Sequence, residues 1–563
     1  MLTYGPANAF FGDNAGFRSS IPVVSGQTAA ESGLGRSASA TLSWEVRVPQ
    51  EKAASMSEDA LRLALKASDL PQLERTLLDM AGPRPAEHTT VTRIYYDTTA
   101  GRLKREGLAL RVQEQDGQCT QMVMIAGVKG RPPFADQEWQ DVIDGAQQDL
   151  RALNGRAHLP EVFSDPELRA RFTTVVQRTL CMLEPDGSAQ IAGTVETGEI
   201  RTAEGTRTEP ICEVGLRLMH GDPSALYETG LRLLEIAPLR IEARSKVERG
   251  YWLLEDTTAK PQAQYFLSFG LKPGATVEEC LQKIGLDCLT LFLRNEPAAL
   301  SDVPDGVHQM RVSVRRLRSV VATLRRMLPP QQYEWVSHEL RWMANVLGPA
   351  RNWDVFSSSL LAPVKNALLS EQDLDKLCHI CEQERQSAHH KANAAIRSSQ
   401  YTAALLKLSQ WFASYSWRNQ PVSQQSALLV ARIEDVAPNL IERRYKKAVK
   451  AANRFDQLTL QQRHKFRISI KKLRYTIEFF RDLFDNNQVS EFVGRLKPLQ
   501  DDMGYANDVR VAHELLVGLQ ISEDVDLARA AGVVLGWHNR SLTDLDHKLR
   551  KHVRRFRQVR PFW

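Results

Sequence analysis

The sequence predicts a multidomain α+β protein in which an antiparallel β domain precedes an all-α domain. Three observations lead to this prediction. Short β-type runs separated by turn-forming residues occupy positions 42–256, helical patterns of period 3.6 follow from about 264, and a basic stretch near Val307 recurs near Arg463. The length of 563 residues also exceeds what one hydrophobic core usually organises.

Composition divides the chain into four segments. Residues 1–40, rich in Gly, Ser and Ala, predict a disordered arm; 41–258 form the β domain, 259–272 a linker and 273–563 the helical domain. Within the β domain, helices are expected at about 58–80 and 223–235. The helical domain is predicted to contain two repeats, at about 273–420 and 429–563.

The charge is distributed unevenly along the chain. Residues 1–260 hold 29 Lys and Arg against 36 Asp and Glu, whereas residues 261–563 hold 44 against 31. The first part therefore carries a net charge of −7 and the second +13. An asymmetry of this kind favours a polyanionic partner for the helical domain, and a solvated basic surface is the alternative.

Several functional classes find no support in the sequence. No apolar run approaches the roughly 18 residues of a membrane span, and the N-terminus does not read as a secretory signal. Seven sparse cysteines fit a reducing compartment, which predicts a cytoplasmic protein. The pair Cys378 and Cys381 lacks the second pair of ligands that a zinc site needs, so no metal site is predicted. Neither a GxxxxGK phosphate loop nor a GxSxG elbow occurs.

The internal repeat is the strongest feature of the helical domain. "VHQMRVSVRRLRS" begins at Val307 and "RHKFRISIKKLRY" at Arg463, an offset of 156 residues. The same offset aligns "LRWMANVLGPARNWDV" with "LKPLQDDMGYANDVRV" without a gap. Two copies of one helical unit are therefore predicted.

Each repeated helix is expected to carry a cation stripe beside an apolar stripe. His308, Arg311 and Arg315 follow one another at helical spacing and are expected on one face of the helix, together with Arg318. Guanidinium groups about one turn apart suit a chain of phosphates, although two solvated faces, or core histidines at a repeat interface, are the alternatives. The candidate anion-binding residues are His308, Arg311, Arg315, Arg316, Arg318, Lys447, Lys450, His464, Arg467, Lys471, Lys472 and Arg474.

The repeated H-x-x-R-x-x-x-[RK]-[RK]-L-R pattern, followed by "LGPARNWDV" and "MGYANDVRV", resembles the conserved histidine α-helical domain, CHAD. The resemblance covers roughly 273–562. It implies two antiparallel four-helix units around a basic pore or groove that binds inorganic polyphosphate without a cofactor, and association with polyphosphate granules. It also implies that the histidines and cations at the motif positions contact the anion.

The β domain is similar to the CYTH family of triphosphate tunnel enzymes, which often precede CHAD domains in bacterial chains. The similar stretches are "TRIYYDTTAGRLKREGLALRV", "RFTTVVQRT" and "SKVERGYWLL". The resemblance implies an eight-stranded antiparallel tunnel, in which Lys and Arg hold a triphosphate and Glu residues bind Mg²⁺ or Mn²⁺.

Several charged positions of that tunnel are replaced here. Met124 stands where a phosphate-binding lysine is expected, and Gly215 and Arg217 stand where acids are expected. A cation opposes divalent metal binding directly, so the tunnel is expected to be degenerate and inactive, although a Mg²⁺- or Mn²⁺-dependent inorganic triphosphatase is the alternative. The remaining tunnel residues are Glu45, Arg47, Arg111, Glu138, Arg178, Glu213, Lys246 and Arg249.

The sequence thus favours a non-catalytic polyphosphate-binding protein, located in the cytoplasm and on polyphosphate granules. A nucleic-acid partner is disfavoured because Tyr475 is the one aromatic near either motif that lies off the apolar stripe, whereas single-strand binding uses stacking platforms. No membrane partner is expected, and the oligomeric state is left open.

Overall fold

The computed structural model describes residues 60–126, 135–149, 167–255, 260–266, 268–368, 372–520 and 523–563. The predicted N-terminal arm, residues 1–40, lies outside the described residues. Within them, no helix combines the length and the apolar character that crossing a membrane requires.

The β domain is one antiparallel sheet with the strand order β5-β4-β3-β2-β6-β7-β8-β1-β9. Eight of the described strands have five or more residues, as the tunnel resemblance implies, and β9 adds a two-residue edge. The strands are β1 Ala60–Ala64, β2 Glu87–Asp97, β3 Leu108–Gln115, β4 Gln118–Ala126, β5 Ala135–Ile143, β6 Arg169–Leu183, β7 Gln190–Thr202, β8 Thr208–His220 and β9 Arg240–Ile241.

Turn chemistry sets the register of the sheet. The β3–β4 hairpin closes through Asp116 and Gly117, which both have positive φ angles (51° and 77°), and Gln115 pairs with Gln118 across the turn. An Asp-Gly pair in this conformation matches the twist of the flanking strands. This register aligns Arg111 with Met122 on the neighbouring strand.

The predicted helix at about 58–80 is corrected by the structure. Its described part begins with strand β1, which pairs with β8, and the helix starts only at Leu70. Leu61 and Leu63 are buried at every second position, which suits a strand, and Pro71 lies in the first helical turn, where its missing N–H is tolerated.

Within the described part of the β domain, four α-helices accompany the sheet: α1 Leu70–Ala81, α2 Arg102–Glu106, α3 Ser224–Ile236 and α4 Lys246–Leu254. Helix α3 matches the helix predicted at about 223–235. Leucines of α1 and α3 share one apolar cluster with Leu61 and Leu63, on the outer face of the sheet. The inner face packs against α4, where Phe172, Val176 and Ile211 form a second apolar cluster with Tyr251.

The helical domain contains α5 Val277–Arg294, α6 Glu296–Leu300, α7 Pro304–Leu324, α8 Pro330–Val346, α9 Gly348–Val355, α10 Ala362–Ala367, α11 Gln372–Ile396, α12 Ser399–Ala413, α13 Ile433–Ala452, α14 Leu460–Phe480, α15 Asn486–Gly518 and α16 Val525–Arg557. The predicted repeat is visible in these bounds. Helices α5, α7 and α8 begin 156 residues before α13, α14 and α15. The first three long helices therefore correspond between the copies, and buried residues of both copies form a single apolar core.

The two domains contact each other through α12. Leu406 joins the outer apolar cluster of the β domain, and the Thr402 hydroxyl donates to the Leu239 carbonyl at 2.7 Å. At the end of α5, Arg294 donates to Glu248 of α4 at 2.8 Å. These contacts join the helical domain to the helix that lines the inner face of the sheet.

Candidate anion-binding site

Helices α7 and α14 each bury the apolar stripe that the sequence predicts. Helix α7 begins at Pro304, while α14 begins behind Thr459, which forms a capping box with Gln462. Leu317 and its repeat partner Leu473 have no solvent exposure. Burial of this stripe fixes the rotation of both helices, and with it the direction of the neighbouring cations.

The cations of the two helices meet in one field. The hydroxyl oxygens of Thr323 and Thr476 lie 3.5 Å apart where the helices meet, and Arg315 of α7 acts electrostatically on Arg467 and Lys471 of α14. Arg351 of α9 belongs to the same field. We call this group the central cluster; it consists of His308, Arg311, Arg315, Arg351, Arg467 and Lys471.

Burial and mutual repulsion lower the pKa values in the central cluster. Burial, together with Arg467 and Arg315, lowers the pKa of Lys471 to about 7. Burial, together with Arg351 and Arg315, lowers the pKa of His308 to about 4. Both shifts mean that burial and the neighbouring cations disfavour the positive form of these two groups.

Carboxylates offset only part of this charge. Asp508 of α15 lies near Arg467, Lys471 and Arg351, and burial raises its own pKa despite these cations. Asp305 acts on Arg351 and His308 from the start of α7. The cations nearest the centre therefore outnumber the acids that act on them.

Two guanidinium groups of the central cluster keep a buried donor without a partner. The Nε atoms of Arg315 and Arg467 are inaccessible to solvent and make no hydrogen bond to a described residue. Arg311, in contrast, donates to the Ala344 carbonyl of α8 at 2.9 Å, which holds its side chain against the bundle. A buried donor without an acceptor is unfavourable, so the site is suited to a ligand rich in acceptor oxygens.

The remaining candidate cations divide between two flanks of the α7–α14 pair. On the α13 flank, burial and the neighbouring Arg444, Lys447 and Arg318 lower the pKa of Lys472. On the α5 flank, Arg474 donates to Glu478 at 2.6 Å, and Arg316 lies 3.8 Å from the same carboxylate. The flanks are thus unequal, although the sequence predicts equivalent cation stripes.

His464 and Lys450 occupy the margin of the site. His464 is exposed, and burial and the nearby Arg467 and Arg510 lower its pKa. Lys450 is exposed one turn beyond Lys447 on α13. Both side chains are more accessible than those of the central cluster.

In the β domain, α4 lines the inner face of the sheet. A Cβ atom at Gly250 would lie 2.1 Å from the Phe172 ring, so glycine allows the helix to approach this closely. Lys246 and Arg249 of α4 are thereby brought to the carboxylates of β7 and β8. The approach unites three predicted tunnel residues, Lys246, Arg249 and Glu213.

The carboxylates of the tunnel are paired with these cations. Lys246 Nζ lies 2.5 Å from Glu196 and also contacts Glu213, while Arg178 lies 2.6 Å from Glu196. Arg249 contacts Glu213 at 3.3 Å. Although burial alone would raise it, Lys246 and Arg178 hold the pKa of Glu196 well below its usual range. Glu196 is therefore charged, and both carboxylates are paired with cations of the same chain.

Two further arginines lie on the inner face. Burial and the nearby Arg111 lower the pKa of Arg93 to about 10. The Nη2 atom of Arg111 lies 2.9 Å from the Met122 sulfur. Among the other predicted residues, Glu45 and Arg47 lie outside the described residues; Glu138 belongs to β5, where only its backbone is described.

Among the described tunnel residues, Glu196 and Glu213 are not free to bind a divalent cation. Hard cations require several oxygen ligands that are free to coordinate, whereas Glu196 and Glu213 are bound to Lys246, Arg178 and Arg249. Within the described ranges, no group of three or more His, Cys, Asp or Glu side chains is placed to hold a metal ion.

Sequence reasoning missed three important residues. Arg351 lies inside the quoted "LGPARNWDV", but its repeat partner is Asn507, so a search for paired cations passes over it. Arg444 lies on α13, three positions before the predicted residue Lys447. Glu196 alternates with the buried Val195 on β7, and this alternation could have identified it as inward-facing.

The fold and the sites define a two-domain protein, in which a tunnel-type antiparallel sheet precedes a duplicated basic helical bundle. Two family models match these parts, the CYTH domain at residues 58–251 and the CHAD domain at residues 283–517. The chain therefore contains a CYTH domain followed by a CHAD domain, which confirms the sequence-based recognition.

Similarity to individual proteins covers only parts of the chain. Two uncharacterized proteins of Mycobacterium tuberculosis, from strains CDC 1551 / Oshkosh and H37Rv, are each 32% identical over 193 residues, or 32% of this chain. The match spans about a third (35%) of each relative's length.

Solved structures also resemble each part. The CHAD domain of the plant Ricinus communis is 27% identical, with coverage of 53% of this chain and 96% of that chain and a TM-score of 0.44. An adenylyl-cyclase candidate from Hippeastrum, described as having a dominant triphosphatase activity, is 16% identical, with coverage of 34% and 94% and a TM-score of 0.24.

Proposed function

We propose that the chain binds inorganic polyphosphate through the central cluster of its CHAD domain. The observation that carries this proposal is the convergence of cations from α7, α9 and α14, where Arg315 and Arg467 retain buried donors without partners. A linear anion with oxygen acceptors on every unit would satisfy these donors and reduce the repulsion between the helices.

The proposal includes proton uptake at Lys471. In the free protein, burial, Arg467 and Arg315 lower the pKa of its ammonium group to about 7, so about half of the molecules are uncharged at neutral pH. A phosphate beside the ammonium group favours its charged form, and binding therefore takes up a proton at and above neutral pH.

Nucleic acid is the competing polyanion, since cations alone do not distinguish one phosphate chain from another. Binding of single strands gains stability from bases stacked on exposed aromatic rings. One aromatic residue, Tyr475, acts electrostatically on Arg467 of the central cluster. In the sequence, Tyr475 is the one aromatic residue near either repeated motif that lies off the apolar stripe, which favours polyphosphate, a ligand without bases to stack.

We propose that the CYTH domain lacks appreciable triphosphatase activity and acts as a structural or anion-binding module. Its described carboxylates Glu196 and Glu213 are paired with Lys246 and Arg249, an arrangement that leaves divalent cations without free ligands. The alternative is an inorganic triphosphatase; a dominant triphosphatase activity is described for the Hippeastrum protein. Mg²⁺ or Mn²⁺ would be required only in that case.

The proposed setting is the cytoplasm, with the protein associated with polyphosphate granules. It follows from the proposed ligand and from the seven cysteines, all of them free thiols. Fluorescence microscopy of the tagged chain beside a polyphosphate stain tests this setting, and a diffuse signal that ignores the granules would contradict it.

The central test is calorimetric titration of the full chain with long-chain polyphosphate, tripolyphosphate and single-stranded DNA over a range of salt concentrations. We expect the tightest binding for long-chain polyphosphate, with a steep loss of affinity as salt rises. Arg315→Ala should weaken it, whereas Lys465→Ala, an exposed cation of α14 outside the central cluster, should not. Equal affinity for DNA would refute the proposed specificity.

A phosphate-release assay with tripolyphosphate and Mg²⁺ or Mn²⁺ tests the second part of the proposal. No release above background is expected. Turnover at ordinary enzymic rates would overturn the inactive tunnel and favour the triphosphatase alternative.

A further inference from the structure

The two flanks of the α7–α14 pair are equivalent by the repeat but carry different charges. The 156-residue offset maps Lys472 onto Arg316 and Arg318 onto Arg474. It also maps helix α13, which flanks Arg318 and Lys472, onto helix α5, which flanks Arg316 and Arg474. A ligand centred on the repeat would therefore meet two corresponding surfaces on leaving the central cluster.

The α13 flank extends the positive field outward. Arg318, Arg444 and Lys447 act on Lys472, and Arg341 of α8 acts in turn on Arg318. Arg444 Nη2 also donates to the Ala322 carbonyl at 3.1 Å, which anchors its guanidinium at the end of α7. Arg318, Lys447 and Arg341 are exposed, so the field is open to solvent.

The α5 flank has lost the corresponding cations. The positions of Arg444 and Lys447 are occupied there by Cys288 and Leu291, which are buried. Where the α13 flank has Ala322, the α5 flank has Glu478.

Two cations of the α5 flank lie beside Glu478. Arg474 donates to it at 2.6 Å, and the Arg316 guanidinium lies 3.8 Å from it and 4.1 Å from the centre of the Phe266 ring. The buried Nε and Nη1 atoms of Arg316 make no hydrogen bond to a described residue. A pocket of about 240 Å³ remains on this side, with Phe266, Arg316, Glu478 and Arg481 in its lining. A phosphate that entered the pocket would face the Glu478 carboxylate.

We propose that polyphosphate extends from the central cluster over the α13 flank alone, so that the CHAD domain binds the chain with one direction of exit. This inference rests on the proposed polyphosphate binding. On the other flank, Glu478 places a carboxylate beside Arg474 and Arg316, at the position where the α13 flank has Ala322, and this negative charge opposes a phosphate. Longer polyphosphate should consequently bind more tightly than short polyphosphate because of contacts with the α13 flank, and not because of contacts with the α5 flank.

The repeat offers a matched pair of variants for the test. Arg341 and Lys497 are exposed cations at equivalent positions of the two copies; Arg341 acts on Arg318 of the α13 flank, and the repeat assigns Lys497 to the α5 flank. We expect Arg341→Ala combined with Lys447→Ala to weaken binding of long-chain polyphosphate by about three- to tenfold. Binding of tripolyphosphate, which the central cluster accommodates, should not change. Lys497→Ala should change neither.

A gain-of-function variant tests the closed exit directly. Glu478→Ala copies Ala322, the equivalent residue of the α13 flank. It should release Arg316 and Arg474 and increase the affinity for long-chain polyphosphate about two- to fivefold, with tripolyphosphate affected less.

The outcomes separate this inference from the proposed function. Equal losses in the Arg341 and Lys497 variants would show that the chain leaves by both flanks and would overturn the one-sided exit. Loss only in Arg315→Ala would confine the ligand to the central cluster and overturn it as well. Absence of polyphosphate binding in the unmodified chain would overturn the proposed function itself.

Discussion

The central cluster of the CHAD domain and the inner face of the CYTH sheet both gather buried cations, but they balance this charge differently. In the sheet, Glu196 and Glu213 meet Lys246 and Arg249 at ion-pair distance. In the central cluster, the buried Nε atoms of Arg315 and Arg467 find no acceptor within the described residues. The comparison teaches that the difference lies in the neighbours: the sheet pairs its charges within the chain, whereas the central cluster leaves two buried donors without an acceptor.

The largest expected effect comes from removal of two cations of the central cluster. Arg315→Ala together with Lys471→Ala should weaken polyphosphate binding by about 1 to 3 kcal/mol per lost charge-assisted contact, or about 2 to 6 kcal/mol in total. Titration calorimetry measures the loss. The free energy of unfolding without ligand should not fall, because the substitutions relieve repulsion between the cations. Unchanged affinity in the double variant would show that the central cluster does not bind polyphosphate.

Removal of a paired cation from the tunnel should lower the stability of the protein and leave ligand binding unchanged. Lys246→Ala leaves Glu196 and Glu213 buried with less compensation, so the free energy of unfolding at neutral pH should fall by about 3 to 5 kcal/mol. Polyphosphate affinity should be unchanged. Denaturant titration checks the first statement and calorimetry the second.

The pH dependence of that variant sharpens the comparison. Since Lys246 and Arg178 hold the folded-state pKa of Glu196 below its usual range, its ion pairs stabilise the unmodified chain above the unfolded pKa. This contribution is lost as the pH falls through the folded pKa. The difference in stability between the two proteins should therefore shrink in acid, and a constant difference would assign the effect to packing.

Proton uptake at Lys471 predicts a pH-dependent affinity. Burial, Arg467 and Arg315 lower the pKa of the free group to about 7, whereas a bound phosphate raises it. Between these two values the affinity should fall as the pH rises, by up to about tenfold per pH unit. Calorimetry in buffers of different ionisation enthalpy measures the proton uptake. The control is Lys471→Met, in which this part of the slope should disappear.

The smallest expected effect concerns the internal carboxylate of the central cluster. Asp508→Asn removes a negative charge that acts on Arg467, Lys471 and Arg351, so polyphosphate affinity should rise about two- to fivefold. The repeat partner of Asp508 is Asn352, which indicates that an amide is tolerated at the equivalent position. A loss of affinity in the folded variant would show that Asp508 positions the cations instead of competing with the ligand.

Much of the architecture was predictable from local patterns. The period-2 runs and the Asp116-Gly117 turn indicated the sheet, and the 156-residue offset indicated two helical copies. The helix predicted before Leu70 is wrong, because pairing with β8 makes this five-residue segment a strand, and its own propensity does not reveal that partner. Arg351 and Glu196 escaped because they act with residues far away in the sequence.

The sequence by itself determined the two domains, the duplication and the cation stripes, because these depend on composition and on the helical and strand periods. Only the tertiary structure decided which charges stay available. The stripe residues Arg318 and Arg474 are equivalent in the sequence, yet Arg474 is bound to Glu478 and Arg318 is exposed among other cations. The reason is physical: a charge is neutralised or left free by neighbours that folding brings within a few ångströms, and periodicity along one helix does not specify them.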